Sequence, residues 1–259
     1  MSFDVSAAAY NAFMGGFSEP LSDEFLTFTG ISPGSRALDV GCGPGALTRR
    51  LVDLLGAGSV SAIDPSPSFV AAAAERFPDV DVRQGTAEAL PYADDVFDAA
   101  LAQLVVHFMS DPVGGIREMA RVVRPGAVVA ACVWDHADQG GPLSGYWAAV
   151  RELDPHARDE ADLAGAREGD LARIAGEAGL SGIESGRVGV TRSFATFEEW
   201  WESYTFGIGP AGQYVRGLDD TSRQRLKDHC ATKFPAGSFD IQATAWAVRG
   251  LSPASRSSR

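Results

Sequence analysis

At 259 residues, with 45% apolar and 22% charged side chains, the chain has room for one generous α/β core with an appendage and is short for two full domains. Its formal net charge of -12 leaves no broad basic surface to neutralise a phosphate backbone or an anionic membrane, so neither nucleic acid nor membrane is an expected partner. Three dispersed cysteines, Cys42, Cys132 and Cys230, have no metal-ligand spacing and suit a reducing compartment rather than a disulfide framework.

No Lys or Arg precedes Arg36, and the longest apolar run, Ala127 to Trp134, is far too short to span a bilayer. A soluble, cytoplasmic protein is expected. Lys227 and Lys233 are its only lysines against many arginines, and Ala and Gly are abundant, which hints at a GC-rich bacterial coding bias.

Short apolar runs alternate with helix-period segments from Arg36 to Trp134, the pattern of consecutive βαβ units feeding a parallel sheet buried on both faces. Strands are expected at Arg36 to Val40, Ser59 to Asp64, Val80 to Gln84, Val96 to Ala102 and Ala127 to Trp134. Helices are expected near Leu47 to Leu55, Pro67 to Phe77 and Pro112 to Val122, with Ser66 as a cap and Gly56 closing the first of them. Beyond a turn-rich stretch, Tyr146 to Leu153 and Asp162 to Ala178 look helical, Val188 to Phe194 reads as a sixth strand, Phe197 to Tyr204 and Thr221 to Lys233 as helices, and Phe239 to Val248 as a last strand.

The run Asp39-Val40-Gly41-Cys42-Gly43-Pro44-Gly45 ends a strand and opens a helix, so backbone can approach a ligand there without Cβ interference. The helix aims unpaired N–H groups at that loop, which favours an acidic group. Asp64 closes the second strand nineteen residues after Gly45, where a carboxylate can accept hydrogen bonds from both hydroxyls of a ribose. A nucleoside-containing cofactor follows. Gly41, Gly43 and Ala46 also satisfy the nicotinamide fingerprint, so spacing alone leaves two cofactors open.

Three features separate them. Asp39 stands beneath the loop, which a dinucleotide does not require; no tyrosine is followed four positions later by lysine, as in short-chain dehydrogenases; and Gln84-Gly85-Thr86-Ala87-Glu88 follows the third strand as a loop suited to an adenine edge. Together these stretches closely resemble the class I methyltransferases of the ubiquinone and menaquinone biosynthesis type (methyltransferase type 11), with the match running from Ala37 to Trp134. Tyr10 to Gly15 is similar to the helix that folds over the methionine end of the cofactor, and Trp246-Ala247-Val248 to the last strand.

The resemblance implies a doubly wound α/β fold: a seven-stranded, mostly parallel sheet whose last strand is antiparallel, with a helical lid inserted after the fifth strand. It divides the chain into an N-terminal helical cap (1–35), a Rossmann-like cofactor core (36–135), the lid (136–165), the remaining helices and last two strands with acceptor-pocket elements (166–251), and a disordered tail (252–259). It implies S-adenosylmethionine as cofactor, held by Tyr10, Met14, Asp39, Gly41, Cys42, Gly43, Asp64, Pro65, Ser66, Thr86, Ala87 and Gln103. The family usually has an acid where Thr86 stands, and Glu88 or a carbonyl is the expected substitute.

A sulfonium methyl is already activated, so positioning dominates, with a base needed only for an oxygen or nitrogen nucleophile. His107, just past the fourth strand, is the expected catalytic base, ahead of His136 past the fifth. Phe197, Trp200, Trp201, Tyr204 and Phe206, joined by Tyr146 and Trp147, are candidates to wall an apolar acceptor pocket, and Gly140-Gly141 to hinge the lid. The acceptor is expected to be a small, largely apolar molecule, no metal is expected, and oligomeric state, a homodimer included, stays open. The alternatives are a cofactor-binding protein of the same fold without turnover, and a nicotinamide-dependent oxidoreductase.

Overall fold

The computed structural model describes residues 7–235 and 237–254. Seven strands form one sheet in the order β3-β2-β1-β4-β5-β7-β6: β1 (Ala37–Val40), β2 (Val60–Asp64), β3 (Asp81–Gln84), β4 (Phe97–Gln103), β5 (Val123–Trp134), β6 (Ser181–Phe194) and β7 (Phe239–Leu251). The first five pair in parallel, and β7 inserts antiparallel between β5 and β6.

Alternate residues of the central strands feed two separate cores, as the two-residue side-chain period of a strand requires. Leu38, Val40, Ala100, Ala102, Val129 and Val133 point to one side, and Ala37, Ala99, Leu101, Ala130, Cys132 and Trp134 to the other. The first face is covered by α5 (Pro112–Val122) and α7 (Asp170–Glu177), through Ile116, Met119, Leu171 and Ile174. The second is covered by α2 (Gly16–Thr29), α3 (Ala46–Leu55) and α6 (Ser144–Leu153), joined by α8 (Phe197–Thr205), α9 (Gly209–Gly217) and α10 (Asp220–Ala231). The chain enters through α1 (Ala7–Tyr10), and α4 (Pro67–Arg76) links β2 to β3.

Local chemistry explains most element ends. Asp111, Thr196 and Asp219 accept the N–H of the third residue beyond them and so cap α5, α8 and α10. Pro67 and Pro112 occupy first-turn positions where no amide donor is needed, and Gly56 ends α3 at φ +80°. Ser66 makes no side-chain cap: its hydroxyl is shared with Ser68 and its N–H goes to Asp64.

Several expectations are corrected. The helix read from Asp162 begins only at Asp170, because Gly165 (φ +84°) and Gly169 (φ +82°) break the backbone before it. β6 starts at Ser181 rather than Val188; its polar first half has no apolar alternation and is strand because it pairs with β7 along its length. Helix α9 was not legible, since Gly209, Pro210, Gly212 and Gly217 all argue against it. Gly212 nevertheless has a purpose, for a Cβ there would sit 2.7 Å from the Gly207 backbone.

Ser252, expected to open a loose tail, is 2% exposed. Its hydroxyl donates to the Arg124 carbonyl and accepts the Ala127 N–H, which pins the turn that leads into β5. The rest of the expected tail, 255–259, lies outside the described residues. At Gly140-Gly141, the expected hinge, the Gly140 carbonyl accepts the Thr244 N–H at 2.7 Å, and a Cβ on Gly140 would lie 2.4 Å from the Asp135 carboxylate. Close packing around buried Asp135, which Arg187 pairs at 3.1 Å, demands these glycines.

Candidate active site

Three glycines turn the chain from β1 into α3, and all three adopt left-handed φ, +72° at Gly41, +54° at Gly43 and +94° at Gly45. They are not equivalent. A Cβ on Gly41 would press to 2.4 Å against Val105, and one on Gly45 to 2.4 Å against Phe77, whereas nothing lies within 4 Å of the position at Gly43. Two glycines therefore serve close packing and the middle one faces open space.

Asp64 ends β2 beside this loop and fixes it. Its Oδ2 accepts the Gly43 N–H at 2.9 Å and its Oδ1 the Ser66 N–H at 2.8 Å. Burial raises the proton affinity of this carboxyl, and those two bonds oppose the rise. A carboxylate offers about four lone-pair sites, so two remain for a diol.

Asp39 lies under the loop at 1% exposure, with the Thr48 hydroxyl donating to it at 2.6 Å. Desolvation raises its pKa to about 7, the Thr48 bond opposes that, and the charge of Asp64 adds to it. A dry carboxyl poised near neutrality is a place for a cationic group. Across the same cleft Gln103 donates from Nε2 to the Ser18 carbonyl at 2.9 Å, while Gln103 Oε1 and Ser18 Oγ are buried with no partner. Buried polar atoms are normally paired, so these two mark where a polar ligand end belongs.

This cleft, about 320 Å³ of empty space, brings together Tyr10, Asp39, Gly41, Cys42, Gly43 and Gln103 of the expected residues, with Ser18 and Leu104 as additions. Asp64 joins through Gly43, and Pro65 and Ser66 follow it in chain. Thr86 and Ala87 stay out of the lining: Ala87 packs into the core, Thr86 is exposed, and Glu88 is engaged elsewhere, accepting from the Ser110 N–H and hydroxyl. These bonds occupy Glu88 Oε1.

A second pocket of about 450 Å³ adjoins the first, sharing Tyr10 and Leu104. Phe13, Met14, Phe108, Trp134, Leu143, Ile208 and Pro210 make it apolar, and His107, His136 and Glu160 are its titratable groups beside Tyr10. Met14 thus lies on this side. Leu104, at the end of β4, holds φ +61°, a strained conformation for a branched side chain that clusters at functional sites.

His107 is buried, and burial together with the nearby His136 drives its pKa well below the usual histidine range. It is a neutral imidazole whose Nδ1 has no partner. His136, 6.0 Å away ring to ring, is pushed down to about 4 by desolvation against the pull of Asp159.

The wall over both pockets comes from the N-terminus. Residues Asn11–Gly15 form a π-helical turn between α1 and α2, which presents Tyr10, Phe13 and Met14 inward. Arg192 of β6 donates to the Phe13 carbonyl at 3.0 Å and the Ala12 carbonyl at 3.4 Å, tying the turn to the sheet, and its guanidinium lies over Phe17 and Phe194.

The aromatic stripe expected as pocket wall is core instead. Tyr146, Trp147, Trp200, Trp201 and Tyr204 are all at most 5% exposed and pack on one another, with Tyr146 and Tyr204 stacked at 4.3 Å, while Phe206 is 39% exposed. Helical spacing does not distinguish the inner side of a covering helix from the wall of a pocket. Leu104, Ser18 and Glu160 escaped the sequence reading, whereas Phe13 lay inside the Tyr10 to Gly15 segment; of the three, only Leu104 carried a signal, its place directly after Gln103 at a strand end. Among the described residues, no cluster of three His, Cys, Asp or Glu is placed to hold a metal, and no helix is long and apolar enough to cross a membrane.

Residues 38–131 match the family model described as "Methyltransferase domain". Demethylmenaquinone methyltransferase of Mycolicibacterium paratuberculosis is 40% identical over 103 residues, 40% of this chain and 43% of that protein. The corresponding enzyme of Desulfitobacterium hafniense is 31% identical over 130 residues, and the chain spans about half, 51%, of its length. In fold, a crystal structure described as a putative methyltransferase from Bacillus halodurans superposes with a TM-score of 0.59 at 15% identity, covering 90% of this chain and 98% of that one. Phosphoethanolamine N-methyltransferase 2 of Haemonchus contortus, solved with S-adenosyl-L-methionine, gives 0.59 at 17% identity over 95% and 56% of the two chains. Residues 38–131 thus match a methyltransferase domain, and the fold of the chain is the one these methyltransferase structures share.

Proposed function

We propose that the protein is an S-adenosylmethionine-dependent methyltransferase acting on an oxygen, nitrogen or carbon of a small, largely apolar acceptor. One observation carries this reading: a polar, backbone-lined cleft with unpaired Ser18 Oγ and Gln103 Oε1 opens through Tyr10 and Leu104 into an apolar pocket with a neutral histidine. The cofactor supplies an activated methyl on a sulfonium. Asp64 fits the ribose diol, Gly43 a close backbone approach, and Asp39, Ser18 and Gln103 the amino-acid end. Tyr10, with its hydroxyl pKa pushed up to about 12 by burial and by Asp64, stays protonated as a hydrogen-bond donor between the pockets.

His107 accepts a hydrogen bond from the nucleophile of the acceptor. Its low proton affinity makes it an orienting group first and a base only as the acceptor loses its proton in the bond-forming step. Phe13, Met14, Phe108 and Trp134 exclude water and hold the acceptor in line. A cytoplasmic setting goes with this reading, since the thiols of Cys42, Cys132 and Cys230 are free and buried.

Calorimetric titration with S-adenosylmethionine and S-adenosylhomocysteine tests the proposal. Micromolar binding is expected, followed by methyl transfer in an acceptor screen that His107→Ala slows without loss of cofactor affinity. Absence of cofactor binding overturns it; binding without turnover on any acceptor favours a non-catalytic cofactor-binding protein.

A further inference from the structure

The apolar pocket contains an acid that the proposed transfer does not use. Glu160, in the connection between α6 and α7, is 3% exposed and lines the pocket with Phe108, Trp134, His136 and Ile208. Its Oε2 is buried and makes no hydrogen bond. Its own backbone amide, the Trp147 indole and the Ala211 amide lie close enough to favour its charged form, and the charge of Asp159 opposes it, yet Trp147 Nε1 is itself without a hydrogen-bond partner. Burial dominates over these and raises the carboxyl to about 7. No arginine or lysine lines either pocket; Arg158, two residues before Glu160, is exposed, and Arg151 is committed to Asp159. A buried acid with an unpaired oxygen costs stability, and capping the first turn of α9 would leave Oε2 idle.

Resting on the reading of this pocket as the acceptor site, we propose that the acceptor is an amine taken up as its ammonium ion, with Glu160 as the specificity-determining residue that accepts its hydrogen bond and then its proton, freeing the nitrogen lone pair that the methyl transfer needs. A hydroxyl would be served as well by a neutral amide side chain, without the burden of desolvating a charge. An ammonium restores the charge of the acid and is further attracted by the faces of Tyr10, Phe13, Phe108 and Trp134. The net charge of -12 concentrates cations near the opening and repels anions. The pocket thereby selects aryl- or alkylamines over alcohols of the same shape, and rejects carboxylates.

The test uses the full chain saturated with S-adenosylhomocysteine and three matched probes: 2-phenylethylamine, 2-phenylethanol and phenylacetate, followed by tryptophan fluorescence, which Trp134 in the wall makes sensitive to occupancy. Wild type is expected to bind the amine about tenfold or more tightly than the alcohol, a margin of roughly 1.4 kcal/mol, and not to bind the acid. Glu160→Gln, which keeps the shape and the contact to α9, is expected to erase that preference while the alcohol changes less than threefold. The wild-type comparison stands by itself if the variant fails to fold. Equal binding of amine and alcohol, binding of neither, or an amine preference that survives in Glu160→Gln overturns the proposal. Because saturation with S-adenosylhomocysteine is measured first, a failure of the amine on a loaded protein counts against Glu160 alone, whereas failure to load counts against the methyltransferase reading.

Discussion

The glycine-loop cleft is made of backbone and short side chains gathered from adjacent strand ends, while the apolar pocket next to it is made of long side chains drawn from Phe13 at one end of the chain to Pro210 near the other. The first is rigid because its parts are strand termini locked by parallel pairing and by both oxygens of Asp64. The second depends on a π-helical turn, the connection after α6, and the start of α9 all arriving together. A fold can keep the first and exchange the second, which is how one core serves many acceptors. The comparison also places the electrostatic burden: each half holds one desolvated acid near neutrality, Asp39 in one and Glu160 in the other.

The largest effect is expected from removing the burden on the cofactor side. The carboxyl of Asp39 is raised from 3.8 to about 7, so the folded protein binds more protons than the unfolded one between those values. The stability that this proton uptake supplies is full below about pH 4 and is lost as pH rises through 7. Asp39→Asn should therefore stabilise the ligand-free protein above pH 7 by on the order of 2–4 kcal/mol, with the gain fading toward pH 4, while weakening cofactor binding. Urea unfolding at pH 5 and pH 8 checks this, and an equal effect at both would refute it.

Next in size, Asp64→Ala removes the acceptor of two backbone N–H groups along with the expected ribose contacts, so cofactor affinity should fall by about 1.5–3 kcal/mol in calorimetry. An unchanged affinity would show that the cleft does not hold the nucleoside.

The glycines sharpen the contrast further. Gly41→Ala sets a methyl against Val105 and should cost about 1–3 kcal/mol in thermal unfolding, whereas Gly43→Ala should cost about 1 kcal/mol and act mainly on cofactor affinity. Equal stability losses from both would erase the distinction between a packing glycine and a ligand-facing one.

The smallest effect belongs to the pocket wall. Arg192→Ala removes two bonds to the π-turn and the cover over Phe17, and a loss of about 1 kcal/mol is expected. Amide exchange should quicken across Asn11 to Gly15 and leave the glycine loop unchanged; acceleration in both would mean that the two halves move as one.

Residues 37–134 were legible because their signals are local: short apolar strand runs, glycines where the backbone must turn left-handed, and an acid at a strand end. The register of β6 was not, since Ser181 to Arg187 become strand only by pairing with β7. Nor was the aromatic assignment, because the spacing of Trp200, Trp201 and Tyr204 fits a covering helix and a pocket wall equally.

The sequence by itself determined the α/β order of elements, the glycine loop and the acids at Asp39 and Asp64, all consequences of neighbours within a few residues or of strand period. Only the tertiary structure decided that Tyr10 and Leu104 line both pockets, that Ser18 and Gln103 leave polar atoms unpaired, and that Glu160 is buried with Oε2 making no hydrogen bond. Burial and desolvation are properties of what surrounds a side chain, and those surroundings come from segments far apart in the chain.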